Sequence, residues 1–203
     1  MLAFLQKIGK SLMLPVATLP AAGILQGFAL INYEKDLHIG AFGAFLNQYF
    51  APFLAAGAGA ILGNLAILFA VGVAIGLAGD AVAALSAVVA HLVLGKVLAQ
   101  VPLSFTFLGE GTKLDMGVVG GIICGMVAAY MYNRFHKIKM PDWLGFFAGK
   151  RFVPMVTAFA ILILGILLVL ILGPIQSALD STGQWLVGLG GFGSFLFGFL
   201  NRM

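Results

Sequence analysis

The side chains in this 203-residue chain that could do chemistry are few and stand far apart among aliphatic neighbours. Within its apolar runs the polar residues are Gln26, Asn64, His91 and Lys96, together with one thiol, Cys124. An ionisable or strongly polar group inside a bilayer is costly, and so it often marks a proton relay, a counter-ion or a ligand contact. His91 is the most central of the four and suits either a proton relay or a hydrogen-bonded packing role. Lys96 stands close to Gln100, where its run ends, and its stem lets the ammonium reach the interface. Asn64, among glycines, suits a helix-to-helix hydrogen bond. Asp80 follows Gly79 where it would cap the next helix. A single cysteine in an apolar run excludes a disulfide framework and a cysteine metal site.

Soluble-enzyme chemistry finds no footing. No carboxylate pair shares an evident face, and no His and Cys cluster has metal spacing. The stretch Gly145–Lys150 lacks the glycine-rich turn and following hydroxyl of a phosphate loop. The expectation is therefore no catalytic residue, no metal site and no cofactor. One segment is strongly basic: Arg134, Lys137, Lys139, Lys150 and Arg151 stand against Asp142 alone. Such a segment could attract anionic lipid or a phosphorylated partner, or could simply record membrane orientation.

The elements that must position these residues are membrane spans. Hydrophobic residues make up 62% of the chain and charged ones 9%, with a mean hydropathy of +1.10. Soluble domains are about a quarter charged. The apolar runs approach the roughly 20 residues that a helix needs to cross a bilayer. The fold class expected is an all-α integral membrane protein with five to six transmembrane helices plus interfacial amphipathic helices. The spans fall at 11–31, 56–78, 81–100, 114–133 and 152–172, with an incomplete sixth at 185–201. Pro15 and Pro20 predict an irregular entry to the first span. The polar residues Gly43, Asn47 and Gln48 make 33–52 an exterior loop with an interfacial helix.

Charge sets the orientation. With the N-terminus inside, interior segments hold Lys7, Lys10, Arg134, Lys137, Lys139, Lys150 and Arg151, while exterior ones hold Lys35, Lys96 and Lys113. That positive-inside bias places the N-terminus in the cytoplasm. It also accounts for the net charge of +4 without a nucleic-acid partner. Helices in lipid associate through close packing, and small residues four apart allow it. Gly117, Gly121 and Gly125 repeat at that interval, as do Gly59 and Gly63. Either packing within the chain or a subunit interface would use such faces.

Three strings carry a resemblance. They are Leu5-Gln6-Lys7-Ile8-Gly9-Lys10-Ser11-Leu12-Met13-Leu14-Pro15-Val16, then Gly63-Asn64-Leu65-Ala66-Ile67-Leu68-Phe69-Ala70-Val71-Gly72, then Asp142-Trp143-Leu144-Gly145-Phe146-Phe147-Ala148-Gly149-Lys150-Arg151. In this order they closely resemble the membrane-spanning IIC component of the bacterial phosphotransferase system, in the glucose, glucosamine and N-acetylglucosamine group. Leu114-Asp115-Met116-Gly117-Val118 and Gly183-Gln184-Trp185-Leu186 look most like the N-acetylglucosamine branch.

The resemblance implies a sugar permease of the bacterial cytoplasmic membrane that imports a hexose or amino sugar with coupled phosphorylation. In that family an N-terminal half forms the scaffold and homodimer interface, and a C-terminal half holds the sugar. Residues 1–203 match the N-terminal half alone, so no substrate-binding residue carries over. The phosphoryl-carrying IIA and IIB parts have no counterpart here, which leaves any enzymatic role to the complete system. The chain would be a fragment, an engineered truncation or a natural short paralogue, inactive alone. The partners implied are a second copy, the C-terminal transport half, phospho-IIB and membrane lipid. The basic loop, with Arg134, Lys137, Lys150 and Arg151, would face IIB. The alternatives are a short paralogue that regulates a full-length IIC by pairing with it, or a small oligomeric pore.

Overall fold

The computed structural model describes residues 2–36, 38–100, 114 and 116–188. Most of the expected sixth span, together with Lys113 and Asp115, lies outside these residues. Among the described residues every regular element is helical and there is no strand. The protein is a multi-pass membrane protein, with five helical stretches long and apolar enough to cross a bilayer. The chain divides into two compact units, residues 1–92 with 116–161, and residues 93–115 with 162–203.

The first unit begins with a hairpin of two broken helices. α1 (Leu2–Val16) and α2 (Leu19–Leu30) are separated by a turn at Ala17-Thr18. Pro20 in the first turn of α2 brings no N–H for the ladder, so the helix restarts there rather than continuing. The Thr18 hydroxyl donates back to the Pro15 carbonyl at 2.7 Å and satisfies one of the groups this break leaves over. The chain then turns and returns as α3 (Gly40–Phe45), a π-helical turn at Leu46–Phe50, α4 (Ala51–Gly63) and α5 (Leu65–Ala78). α2 packs on α4 and α1 packs on α5. Pro15 lies against Gly72 and Ser11 against Gly76, so α1 and α5 run antiparallel.

Two features of this hairpin differ from the sequence-based expectation. The span expected over 56–78 is two helices meeting at Asn64, with backbone angles of φ −111° and ψ 20°. Its side-chain amide donates to the Ala60 carbonyl at 2.8 Å, offering the backbone a local alternative to the helical ladder. The region 33–52, expected to be an exterior loop with an interfacial helix, instead gives its residues from 40 onward to a helical stretch, Gly40–Gly63, long enough to span. The polarity there is absorbed within the chain. Asn47 Oδ1 accepts from the Tyr33 N–H at 2.9 Å, its Nδ2 donates to Asn32 Oδ1 at 2.9 Å, and Gly43 sits against Tyr33 and Glu34.

α5 is the centre of this unit. Ala70, Gly72, Val73, Ala74 and Leu77 are all buried, with α1 and α7 (Gly117–Phe135) packed against the helix. On α7 the buried residues Gly121, Cys124, Gly125, Ala128, Ala129 and Tyr132 recur at helical spacing. A Cβ added at Gly121 would collide with the Ala66 carbonyl, and one at Gly125 would lie 2.5 Å from the Ala70 oxygen. This is backbone on backbone. In chain order α6 (Ala81–Gln100) follows α5, and its Ala83, Ser86, Ala87 and Ala90 are buried.

In the second unit, Gly165 of α8 (Phe152–Gly188) faces the end of α6, where a Cβ would lie 3.0 Å from Val97 and 3.3 Å from Leu94. α8 continues through Pro174, beyond the end expected at 172. In apolar surroundings an unwound backbone has no water to bond, which favours continuing the helix past the proline.

The glycine contacts make a direct prediction. Gly121→Ala forces α7 away from the Ala66 carbonyl and should destabilise the protein by about 1–3 kcal/mol, the usual cost of overpacking. Gly59 has open space around it. In the monomeric protein Gly59→Ala should be neutral or stabilising by up to about 1 kcal/mol. Thermal unfolding of both variants in the same detergent gives the comparison, and equal melting temperatures would contradict the register described.

Candidate functional site

Lys7, Asp80, Arg134 and the basic 136–151 segment collect at one end of the first unit. Since α1 runs against α5, and α5 and α7 run together, Lys7, the α5–α6 turn and the end of α7 share this end. Lys7, Leu77 and Asn133 indeed line one cleft. Gly79 closes α5 in the left-handed conformation, φ 71°, with its N–H donating to the Ile75 carbonyl at 2.7 Å. The next residue, Asp80, then points its carboxylate back across the bundle.

Asp80 does two things with its two oxygens. Oδ1 accepts the Val82 N–H at 2.9 Å, capping the start of α6 as the sequence predicted. Oδ2 accepts from Lys150 Nζ at 2.6 Å and from the Tyr132 hydroxyl at 2.8 Å. The hydrogen bond from Lys150, then those from the Val82 N–H and the Tyr132 hydroxyl, outweigh desolvation and hold the Asp80 pKa down at about 2. Tyr132 is buried and stacks on His136 with ring centroids 4.9 Å apart, and the Nδ1 of His136 lies 2.8 Å from the Tyr132 carbonyl oxygen.

Lys150 therefore ties the 136–151 segment to the α5–α6 turn. That segment carries two 3-10 turns, Asp142–Phe147 and Gly149–Arg151, before α8 begins. Gly149 adopts φ 68° between them, and its N–H donates to the Ile138 carbonyl at 3.0 Å. The Arg151 guanidinium sits 4.9 Å from the Phe146 ring centroid, within cation–π range, and donates to the Phe146 carbonyl at 3.3 Å. Trp143 and Phe146 are 82% and 70% exposed, which suits aromatic residues at a membrane–water interface.

The residues singled out by sequence thus fall into separate groups. Lys150 and Arg151 have partners within their own segment and the α5–α6 turn, whereas Arg134 and Lys137 are exposed. Gly121 and Gly125 meet α5; Gly59, Gly63 and Gly117 have nothing within 4 Å of an added Cβ. Gln26 and His91 are half-buried on α2 and α6, Asn64 is exposed at the helix break, and Lys96 is exposed near the end of α6. Cys124 is buried. Among the described residues no three His, Cys, Asp or Glu side chains gather as a metal site. Sequence reasoning missed Tyr132 and the pairing of Asp80 with Lys150. The only signal was a lone acid in a Gly-Asp turn, with no indication of which distant cation answers it.

Comparison with known proteins agrees with the three strings noted above. Residues 9–203 match the profile of the phosphotransferase system EIIC family. The chain is 43% identical to the N-acetylglucosamine-specific EIIC component of Streptomyces coelicolor, over 98% of this chain and 48% of that protein. It is 39% identical to the N-acetylglucosamine-specific EIICB component of Bacillus subtilis, over 100% of this chain and 40% of that protein. The N-acetylglucosamine-specific EIICBA component of Escherichia coli is also 39% identical, with 100% and 28% covered. The chain spans less than half the length of each of these relatives.

The Asp80 clamp gives a pH signature. Asp80→Asn keeps an oxygen for the Val82 N–H but removes the charge that holds Lys150. A carboxylate with a depressed pKa stabilises the fold above its unfolded value of 3.8 and loses that effect as pH falls toward about 2. The wild type should exceed Asp80→Asn in melting temperature by a constant margin from pH 8 to pH 5. The two should converge as pH drops from about 4 to about 2. A margin that instead closes near neutral pH would contradict the ion pair.

Proposed function

The chain belongs to the phosphotransferase system EIIC family, and from that premise we propose that it forms the membrane scaffold of a sugar permease of the N-acetylglucosamine type. The observation that carries this reading is the close seating of α7 on α5, where glycines bring two backbones together. It occurs in a chain aligned along its whole length with N-acetylglucosamine-specific relatives. Alternating access moves one bundle against another around the substrate site. A glycine-seated bundle is suited to be the fixed member. The sugar-holding part belongs to the other half of the complete permease, and this chain alone conducts no sugar.

The basic end is cytoplasmic in this reading, because Lys7 shares it with the 136–151 segment and positive residues are retained inside. Arg134 and Lys137, exposed there, supply a positive field for a phosphorylated IIB partner. Lys150 and Arg151 hold the segment that presents it. Gly121 and Gly125 are engaged by α5, so a homodimer contact falls to the open glycines of α4, Gly59 and Gly63.

Two measurements test this. Purified chain in proteoliposomes should give no N-acetylglucosamine uptake above protein-free vesicles; appreciable flux would overturn the scaffold reading. In a Cys124→Ser background, Lys137→Cys should react with an impermeant maleimide in inverted membrane vesicles and stay unlabelled in intact cells. The reverse pattern would invert the topology. Chain recovered in mixed dimers with a full-length IIC, rather than with itself, would favour the regulatory alternative.

A further inference from the structure

Near the basic end a cleft of about 490 Å³ lies between α1 and α7, within the range of about 300–1,000 Å³ typical of ligand pockets. Lys7 stands on its α1 side, Leu77 of α5 is buried beside it, and Met126, Val127, Tyr130 and Asn133 form its α7 side. From Met126 to Asn133 the wall follows two turns of a membrane-spanning helix, about 11 Å along its axis. Among the described residues of the lining Lys7 is the one that carries charge, and no carboxylate accompanies it there. Asp80, the nearest acid in sequence to Leu77, is already committed to Lys150. Lys10 follows Lys7 by three residues on α1, and Arg134 follows Asn133 on α7.

We infer that this cleft is a binding site for an anionic phospholipid, whose phosphate meets Lys7 and Asn133 at the membrane surface and whose acyl chain lies along Met126, Val127 and Tyr130. The chemistry of the cleft selects the ligand. A long apolar wall inside the bilayer suits an acyl chain, while an ammonium and an amide at its mouth suit a phosphate oxygen. Basic pockets between transmembrane helices on the cytoplasmic side commonly take such headgroups. A second copy seated here symmetrically would bring its own Lys7 and basic end against this one, a like-charge contact that no acid among the described lining residues relieves. The site does not depend on the transport reading; it requires only that the chain reside in lipid.

Native mass spectrometry of the intact chain, titrated with phosphatidylglycerol and in parallel with phosphatidylcholine of the same acyl composition, tests it. Phosphatidylglycerol should bind at least about five-fold more tightly, the weight of one basic residue at an anionic surface. Lys7→Gln should remove that preference, whereas Lys35→Gln should leave it intact. Val127→Trp adds bulk to the cleft wall and should lower the occupancy of both lipids. Equal affinity for the two lipids, an equal loss in Lys35→Gln, or full phosphatidylglycerol binding by Val127→Trp would each overturn the assignment. So would a dimer that Val127→Trp abolishes, since the cleft would then belong to a second copy.

Discussion

Lipid tails are as apolar as leucine, so a helix gains almost nothing by leaving them for another helix unless the two come closer than side chains normally allow. The contact of α7 with α5 meets that condition at Gly121 and Gly125, where the facing atoms are backbone carbonyls of Ala66 and Ala70. The register fixed there reaches the charged end. Tyr132 lies seven residues beyond Gly125 and Leu77 seven beyond Ala70, so both helices arrive in step. Asp80, just past the end of α5, is thereby delivered to the Tyr132 hydroxyl. A shift of one turn between these helices would separate the two by about 5.4 Å and dissolve the clamp on Lys150.

The other face of α5 receives α1 in a similar manner, with Gly72 and Gly76 admitting Pro15 and Ser11. Small residues on both faces explain why this 14-residue helix, shorter than the five spanning stretches, still buries Ala70, Gly72, Val73, Ala74 and Leu77. They also explain the breaks around it. α1 and α2 part at Ala17-Thr18, and α4 and α5 part at Asn64, so that each half of the hairpin keeps its own partner. Asn64 serves the bend itself rather than the helix-to-helix hydrogen bond its setting suggested. Its amide is spent on the Ala60 carbonyl at the bend.

How much of this was legible follows from what kind of information each feature needs. The spans at 81–100 and 152–172, and the glycine interval on α7, are local periodicities and could be read directly. That Gly121 and Gly125 would meet α5, while Gly59 and Gly63 stay open, depends on which helices become neighbours. Residues 33–52 looked too polar for a spanning helix because a sequence does not show that Asn47 answers Asn32 and Tyr33 across a turn. Asp80 was legible as a cap, since its Val82 bond is two residues away, but its bond to Lys150 closes over 70 residues. The span expected to end at 172 runs on through Pro174, because a backbone in apolar surroundings has nowhere better to go than the helix.

The positive-inside rule counts every cation at this end alike, but the structure gives them unequal work. Lys150 is neutralised by Asp80, so it contributes rigidity to the 136–151 segment and little to the outward field. Arg151 is drawn over the Phe146 ring of the same segment. Arg134, Lys137 and Lys139 remain exposed, and Lys7 stands apart at the mouth of its cleft. A segment pinned by one pair of its cations can hold the others at fixed positions, so the charge displayed there is an ordered field rather than a loose tether. The single acid at the α5–α6 turn thus does more than cap a helix: by holding Lys150 it transmits the register of two glycine-packed helices to the surface where charge is displayed.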